Sequence, residues 1–365
     1  MKKKLIIFMP SIEGGGVEKN LFLICNYLTK KYDKLSIITV SNRYKPFFSK
    51  KIKFIGPKNK LWHNTNRLIK YLICSFYLIL EIFEKNNEKL IVSFQGNLFS
   101  ILIGKILKVK ILARANAAPS GWIFNSIKKK IFEVVYSYAD IIVVNSLEFK
   151  KEFKKFFNLN SVCIYNPLDK KKIYRLSKQN NNYFKSDKNV LKIINIGRIV
   201  EQKNQILLLK ALNVIKEKIN FRVLIIGNGI LKKNLVKFAK ENNLNSKVKI
   251  INFQKNPYKY LSKSDVLIHT AKFEGLPNVL LEAQLLKKFI ISSDCPTGPK
   301  EILCNGKAGF LFKNGDYKEL SKKIVYFFQN QKILNKKVNY GYNKIYRFDY
   351  NLCLKRYYAE IKKIF

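Results

Sequence analysis

The sequence predicts an α/β protein made of two doubly wound domains, and three features carry that reading. Apolar runs of strand length alternate with helical patterns along almost the whole chain, as parallel strands joined by crossover helices require. The pattern breaks once, around "VCIYNPLD" (162–169), and then resumes. The 365 residues, 47% of them hydrophobic, suffice for two separate cores. The expected division is 1–168 and 169–349, with a last helix over about 350–365 packing back onto the first domain. The two Rossmann-like domains are expected to face each other across a cleft. Ligands of open α/β sheets sit at the carboxyl ends of the strands.

The first apolar run, Leu5 to Met9 in "MKKKLIIFMPSIEGGG", is too short for the core of a signal peptide and predicts a strand. A glycine loop follows, then a helix with Val17, Leu21, Ile24 and Leu28 on one stripe. The runs "KLSIITV", "KLIVSF", "KILARA" and "DIIVVNS" predict further strands of the first domain. The apolar stretch "YLICSFYLIL" (71–80) is half the roughly 20 residues needed to span a bilayer. No span is therefore expected, although part of the chain could lie on a membrane. After the break, the polar "SKQNNNYFKSDKN" reads as a linker or surface loop. A second series then runs through "VLKIINIG", "FRVLIIG", "KVKIINF", "DVLIHT", "FIISS" and "GFLF". The closing "YNLCLKRYYAEIKKIF" reads as a helix.

The motifs fall at strand ends. "EGGGVEKN" (13–20) opens the first helix, where consecutive glycines allow close backbone approach and free N–H groups favour an anion. A flexible turn is the competing account. It is not GxGxxG, so no dinucleotide site is indicated. In "NIGRIVEQKNQILLLKAL" (195–212), Arg198 and Lys203 could converge on a diphosphate, one as a planar fork and one as a point charge. "LIIGNG" (224–229), with Gly227, suits a backbone passing a nucleoside but is common in α/β turns.

In "FEGLPNVLLEAQ" (273–284), Pro277 bars helix upstream and Asn278 is a good N-cap, so a helix is predicted from Val279. Gly275, Leu276 and Pro277 then lie at its N-terminus, where a phosphate is stabilised. Carboxylates only accept hydrogen bonds, so Glu282 suits a ribose diol and Glu274 a hexose. A first-turn glutamate that complements the dipole is the alternative for Glu282. The loop "DCPTGPK" could bring the Thr297 and Gly298 amides to the same place, or simply bend the chain. In "ILARANAAPSGW", Arg114 and Asn116 are expected to face an acceptor, with a core-edge loop as the competing reading.

Composition narrows the chemistry. The net charge of +46 is nearly all lysine, spread along the chain, and suggests nucleic acid or an anionic membrane, or else compositional bias. The six cysteines are scattered and form no CxxC pair, which reads as a reduced, cytosolic protein. With two histidines, and no aspartates spaced D-x-D, a metal site is not expected. Cations and a helix dipole can neutralise a leaving group instead.

Taken together, "GGVEKN", "NPLD", "GR…QKN", "GNG", "EGLPNVLLE" and "DCPTGPKEIL…GKAGFLF" resemble the retaining glycosyltransferases of family 4 over nearly the whole chain. The resemblance implies the GT-B fold, a nucleotide-diphosphate-sugar donor with UDP favoured over GDP, and no metal or other cofactor. It implies that Arg198 and Lys203 hold the diphosphate and that Glu282 binds the ribose and Glu274 the donor sugar. Amides of Gly275 to Asn278 would touch sugar and phosphate, and Gly16 would lie near the phosphates. Displacement would occur on one face, the leaving phosphate helping to deprotonate the acceptor. Many members carry a histidine where this chain has Ala115 or Asn116, so no histidine role is assigned.

The expected function is transfer of a sugar to a lipid-linked or other glycan acceptor in surface-polysaccharide synthesis. The expected place is the inner face of the plasma membrane, with lysines docking on anionic lipid. A sugar-nucleotide epimerase of the same fold is an alternative, but it needs acid/base groups acting on the sugar ring. A nucleic-acid-binding protein is the other, but it needs a recognised module or stacking aromatics on a basic face, and neither is found.

Overall fold

The computed structural model describes residues 2–84, 87–181, 183–184 and 189–365. Contacts divide the chain into one unit of 1–167 with 351–365, and a second of 168–350. Residues 182 and 185–188 of the stretch read as a linker lie outside the described residues. Its described part is not all surface loop: Phe184 is buried and the Tyr183 hydroxyl donates to the Val223 carbonyl, 2.9 Å.

Among the described residues the first unit holds seven strands: β1 (Lys2–Phe8), β2 (Lys34–Ile38), β3 (Lys53–Ile55), β4 (Asn87–Ser93), β5 (Lys110–Arg114), β6 (Ile141–Val144) and β7 (Val162–Cys163). They form one parallel sheet in the order β3-β2-β1-β4-β5-β6-β7. Its helices are α1 (Gly16–Leu28), α2 (Arg67–Phe83), α3 (Asn97–Ile106), α4 (Ser126–Ser137) and α5 (Leu147–Phe157). Strand residues alternate between faces. Ile6, Phe8, Ile91 and Ile111 pack with Cys74, Leu78 and Ile101, Val135 and Phe153, which sets α2 to α5 on one face.

The second unit holds α6 (Lys170–Ser177), β8 (Leu191–Ile196), α7 (Gln205–Ile215), β9 (Phe221–Ile226), α8 (Lys232–Glu241) and β10 (Val248–Ile251). It continues with α9 (Tyr258–Leu261), β11 (Val266–His269), α10 (Asn278–Leu285), β12 (Phe289–Ser293), α11 (Pro299–Ile302) and β13 (Phe310–Phe312). Helices α12 (Tyr317–Gln329) and α13 (Gln331–Asn343) complete it. The six strands are parallel, in the order β10-β9-β8-β11-β12-β13. Leu168 and Asp349, near its two ends, pair in a single β-bridge.

The last helix, α14 (Tyr350–Ile364), packs into the first unit through Cys353, Leu354, Tyr357 and Ile361. Phe365 stacks on Tyr32, just past α1, with ring centroids 5.4 Å apart.

Candidate active site

The strand order of the second sheet reverses between β8 and β11, so the loops that follow these two neighbours diverge to opposite faces. In open α/β sheets that is where a crevice forms and ligands bind. The structure brings Arg198, Lys203, Glu274 and the run Gly275–Asn278 to those two loops.

The loop after β8 carries Arg198, which is exposed, and ends in a 3₁₀ turn, Glu201–Lys203. Lys203 therefore precedes α7 rather than opening it, because Asn204 adopts the left-handed conformation (φ 49°) and starts the helix. Hydrogen bonds tie this loop to the one after β11. Thr270 Oγ1 donates to the Lys203 carbonyl at 2.9 Å and Gln202 Nε2 to the Phe273 carbonyl at 2.9 Å. The Lys272 amide donates to the Gln202 carbonyl at 2.8 Å. The loops thus hold a common register, and the side chains they carry keep fixed spacing.

Glu274 is the electrostatic centre. Its carboxylate is buried, accepts from Lys203 Nζ, and lies 2.9 Å from His269 Nε2. Burial alone would push its pKa up, but the Lys203 ammonium and His269 outweigh that and hold it at about 2. The group stays ionised, an acceptor only, through the physiological range. His269 Nδ1 in turn lies 3.0 Å from Ser292 Oγ on β12, so the imidazole is gripped on both sides. Sequence reasoning gave His269 no such place. The available signal was a lone histidine ending a strand, five residues before a loop glutamate.

The second carboxylate, Glu282, is also buried and accepts from the Tyr258 hydroxyl at 3.1 Å. Its helix α10 starts one residue earlier than predicted. Pro277 takes the cap position with extended backbone (ψ 109°), Asn278 becomes the first helical residue, and no side chain caps the end. Leu276 and Pro277 are buried.

The loop before α11 packs on this one. Thr297 Oγ1 donates to the Glu274 carbonyl at 2.7 Å, and the Glu274 amide to the Pro296 carbonyl at 3.2 Å. Gly298 has φ +88°, and a Cβ there would stand 2.5 Å from the Gly275 carbonyl oxygen. A side chain is excluded both by conformation and by space. Gly227 has a structural cause too: a Cβ would meet the Gly197 carbonyl oxygen at 1.9 Å, because the ends of β8 and β9 run in contact.

In the first unit the order reverses between β1 and β4, and Gly16 there is the first residue of α1. The expectation for Arg114 is corrected. It is 1% exposed and its donors are engaged within the fold: its Nε donates to the Tyr357 hydroxyl at 2.8 Å and Nη2 to Asn166 Oδ1 at 2.8 Å. Nη1 donates to Asn116 Oδ1, and the Asn116 amide donates to the Phe94 carbonyl at 2.6 Å. Both ends of the Asn116 amide are thus used internally. A buried guanidinium must satisfy its donors nearby, and Tyr357 of α14 supplies a partner that is far away in sequence. Among the described residues no group of three or more His, Cys, Asp or Glu side chains is placed to hold a metal ion.

Residues 177–344 match the family described as "Glycosyl transferases group 1". An uncharacterized glycosyltransferase of Methanocaldococcus jannaschii is 32% identical over 306 residues, 75% of this chain and 73% of the relative. The N-acetylgalactosamine-N,N'-diacetylbacillosaminyl-diphospho-undecaprenol 4-alpha-N-acetylgalactosaminyltransferase of Campylobacter jejuni is 25% identical over 334 residues, 85% of this chain and 86% of that one. Among solved structures, Anabaena Alr3699/HepE in complex with UDP and glucose superposes with a TM-score of 0.80 at 16% identity, covering 99% of this chain and 100% of that chain. At that identity the likeness establishes the fold, which is GT-B.

Proposed function

Because the chain belongs to the group 1 glycosyl transferases, we propose that it moves a sugar from a nucleotide-diphosphate sugar, UDP-linked by preference, to a lipid-linked glycan in surface-polysaccharide synthesis. The observation that carries this reading is the pair of loops at the strand-order reversal, one carrying Arg198 and Lys203 and the other the buried Glu274 that Lys203 pairs with, while a second buried carboxylate, Glu282, lies in the helix that follows. Arg198 and Lys203 suit the diphosphate, Glu282 the ribose and Glu274 a sugar hydroxyl. The N–H groups of Gly275, Leu276 and Asn278 at the start of α10, an eight-residue helix, suit sugar and phosphate oxygens; Pro277 has none to give. Support for the donor comes from the HepE complex with UDP and glucose, and for the acceptor from the Campylobacter relative, whose name specifies a diphospho-undecaprenol carrier.

In the reaction we infer, the bond from the anomeric carbon to the nucleotide phosphate breaks and an acceptor oxygen forms the new bond on the same face. The acceptor's proton passes to the departing phosphate. Charge grows on that phosphate as the bond opens, so Arg198 stabilises the transition state more than the ground state. No metal is invoked. The reaction is placed at the cytoplasmic face of the membrane, where lysines are attracted to anionic lipid.

A screen of UDP- and GDP-sugars by thermal shift identifies the donor, since a ligand of the native state alone raises the melting temperature. With that donor, and with EDTA present throughout, Glu282→Ala is expected chiefly to raise donor KM. Arg198→Ala is expected to lower kcat. Full activity in both variants defeats the assignment, and a rate abolished by EDTA defeats the metal-free chemistry.

A further inference from the structure

Helix α2 is dressed the wrong way round for a soluble protein. Between Arg67 and Glu84 its only charged residues, Lys70 and Glu81, are both buried, and Glu81 is paired with Lys4. The outward face carries Leu68, Leu72, Phe76, Ile79 and Phe83, spaced for one helical stripe and 36–67% exposed. Charged residues normally take the solvent face, so an inverted stripe of this length points to something that covers it. Helix α3 packs on α2 and α4 packs on α3, all backed by the same sheet face. They continue the surface with Ile106 at 74% exposure, and with Ile127, Ile131 and Val134 of α4 on a second helical stripe.

We propose that this α2–α3–α4 face inserts into the interfacial layer of an anionic lipid bilayer, by apolar burial as well as by charge. The choice of lipid rests on complementarity. Lys105, Lys128 and Lys130 are exposed around the apolar stripes, and Lys105 sits over the Tyr138 ring at 5.1 Å. An apolar face with a basic border is what an interfacial helix presents, with lysines reaching the headgroups. At 17 residues α2 lies in the plane of a bilayer rather than crossing it, and no helix among the described residues is long and apolar enough to cross. This deepens the membrane placement proposed above and rests on it; the attachment differs from lysine docking alone, because insertion survives salt that screens charge.

The test is flotation of the full chain with vesicles of phosphatidylethanolamine and phosphatidylglycerol, at low salt and at about 0.5 M NaCl. Wild type is expected to float in both. Leu72→Ser/Phe76→Ser/Phe83→Ser is expected to lose about tenfold in partitioning at high salt while keeping its UDP thermal shift. Ile127→Ser/Ile131→Ser on α4 gives an independent second variant with the same expectation. Wild type failing to float at high salt overturns the proposal, as does either folded variant floating like wild type. Self-association of wild type that these substitutions abolish, with flotation unchanged, assigns the face to a second copy of the chain and also overturns it. Loss of the UDP shift in wild type would count against the donor site, not against this surface.

Discussion

Replacing Glu274 by Gln keeps the side chain's shape and removes its charge, and the structure sets the size of the effect. The carboxyl is held at about 2 against an ordinary 4.5, and a difference of that size is worth about 3 kcal/mol at neutral pH. Because the folded value is the lower one, the stabilisation is complete above pH ~4.5 and drains away as pH falls toward 2. Glu274→Gln should therefore melt about 6–12 °C below wild type at pH 7, for a unit of this size. The gap should narrow to roughly 1 kcal/mol at pH 3, where wild type has lost most of the advantage. Part of the loss at pH 7 is the Lys203 ammonium left without its counter-charge, softened because that side chain is 20% exposed. Circular dichroism melts of both proteins from pH 3 to 8 measure this. A gap that is constant with pH, or absent at pH 7, refutes the assignment of a charge-paired Glu274.

Three further substitutions probe the packing around the site and away from it. Gly298→Ala drives a Cβ toward the Gly275 carbonyl at a positive φ; about 1–3 kcal/mol of stability and a raised donor KM are expected, read by melting and by steady-state rates. Arg114→Met removes the donors that reach Asn166 Oδ1 and the Tyr357 hydroxyl, and about 2–4 kcal/mol should be lost in urea titrations, with Tyr357→Phe costing about 1–3.

All six strands of the second sheet coincide with apolar runs visible in the sequence; β11 and β12, interior and buried on both faces, are the plainest, while the edge strands β10 and β13 still carry short apolar runs. The first sheet was legible only in part. Strands β3 and β7 were not predicted, since edge strands of three and two residues show no periodicity to read. In the candidate site, the loop residues were legible because glycine, proline and rare arginine stand out in a lysine-rich chain. Two things were not. Arg114 looks like a ligand-facing residue until Tyr357, 243 positions away, closes its hydrogen bonds. His269 gains meaning only from Glu274 and Ser292 folding onto its two nitrogens, and the second of these lies on another strand.

The segment 351–365 belongs to the unit that the chain begins. During synthesis, then, one unit is nested inside the other: residues 168–350 are made complete while the unit that holds 1–167 still lacks a helix. Until that helix arrives, the Arg114 guanidinium is short of the phenol that seals it, and the surface against which Leu354 and Ile361 are buried stands open to water. A nascent chain stalled near residue 350 should accordingly bind chaperones and be cut by proteases in its earliest-made portion.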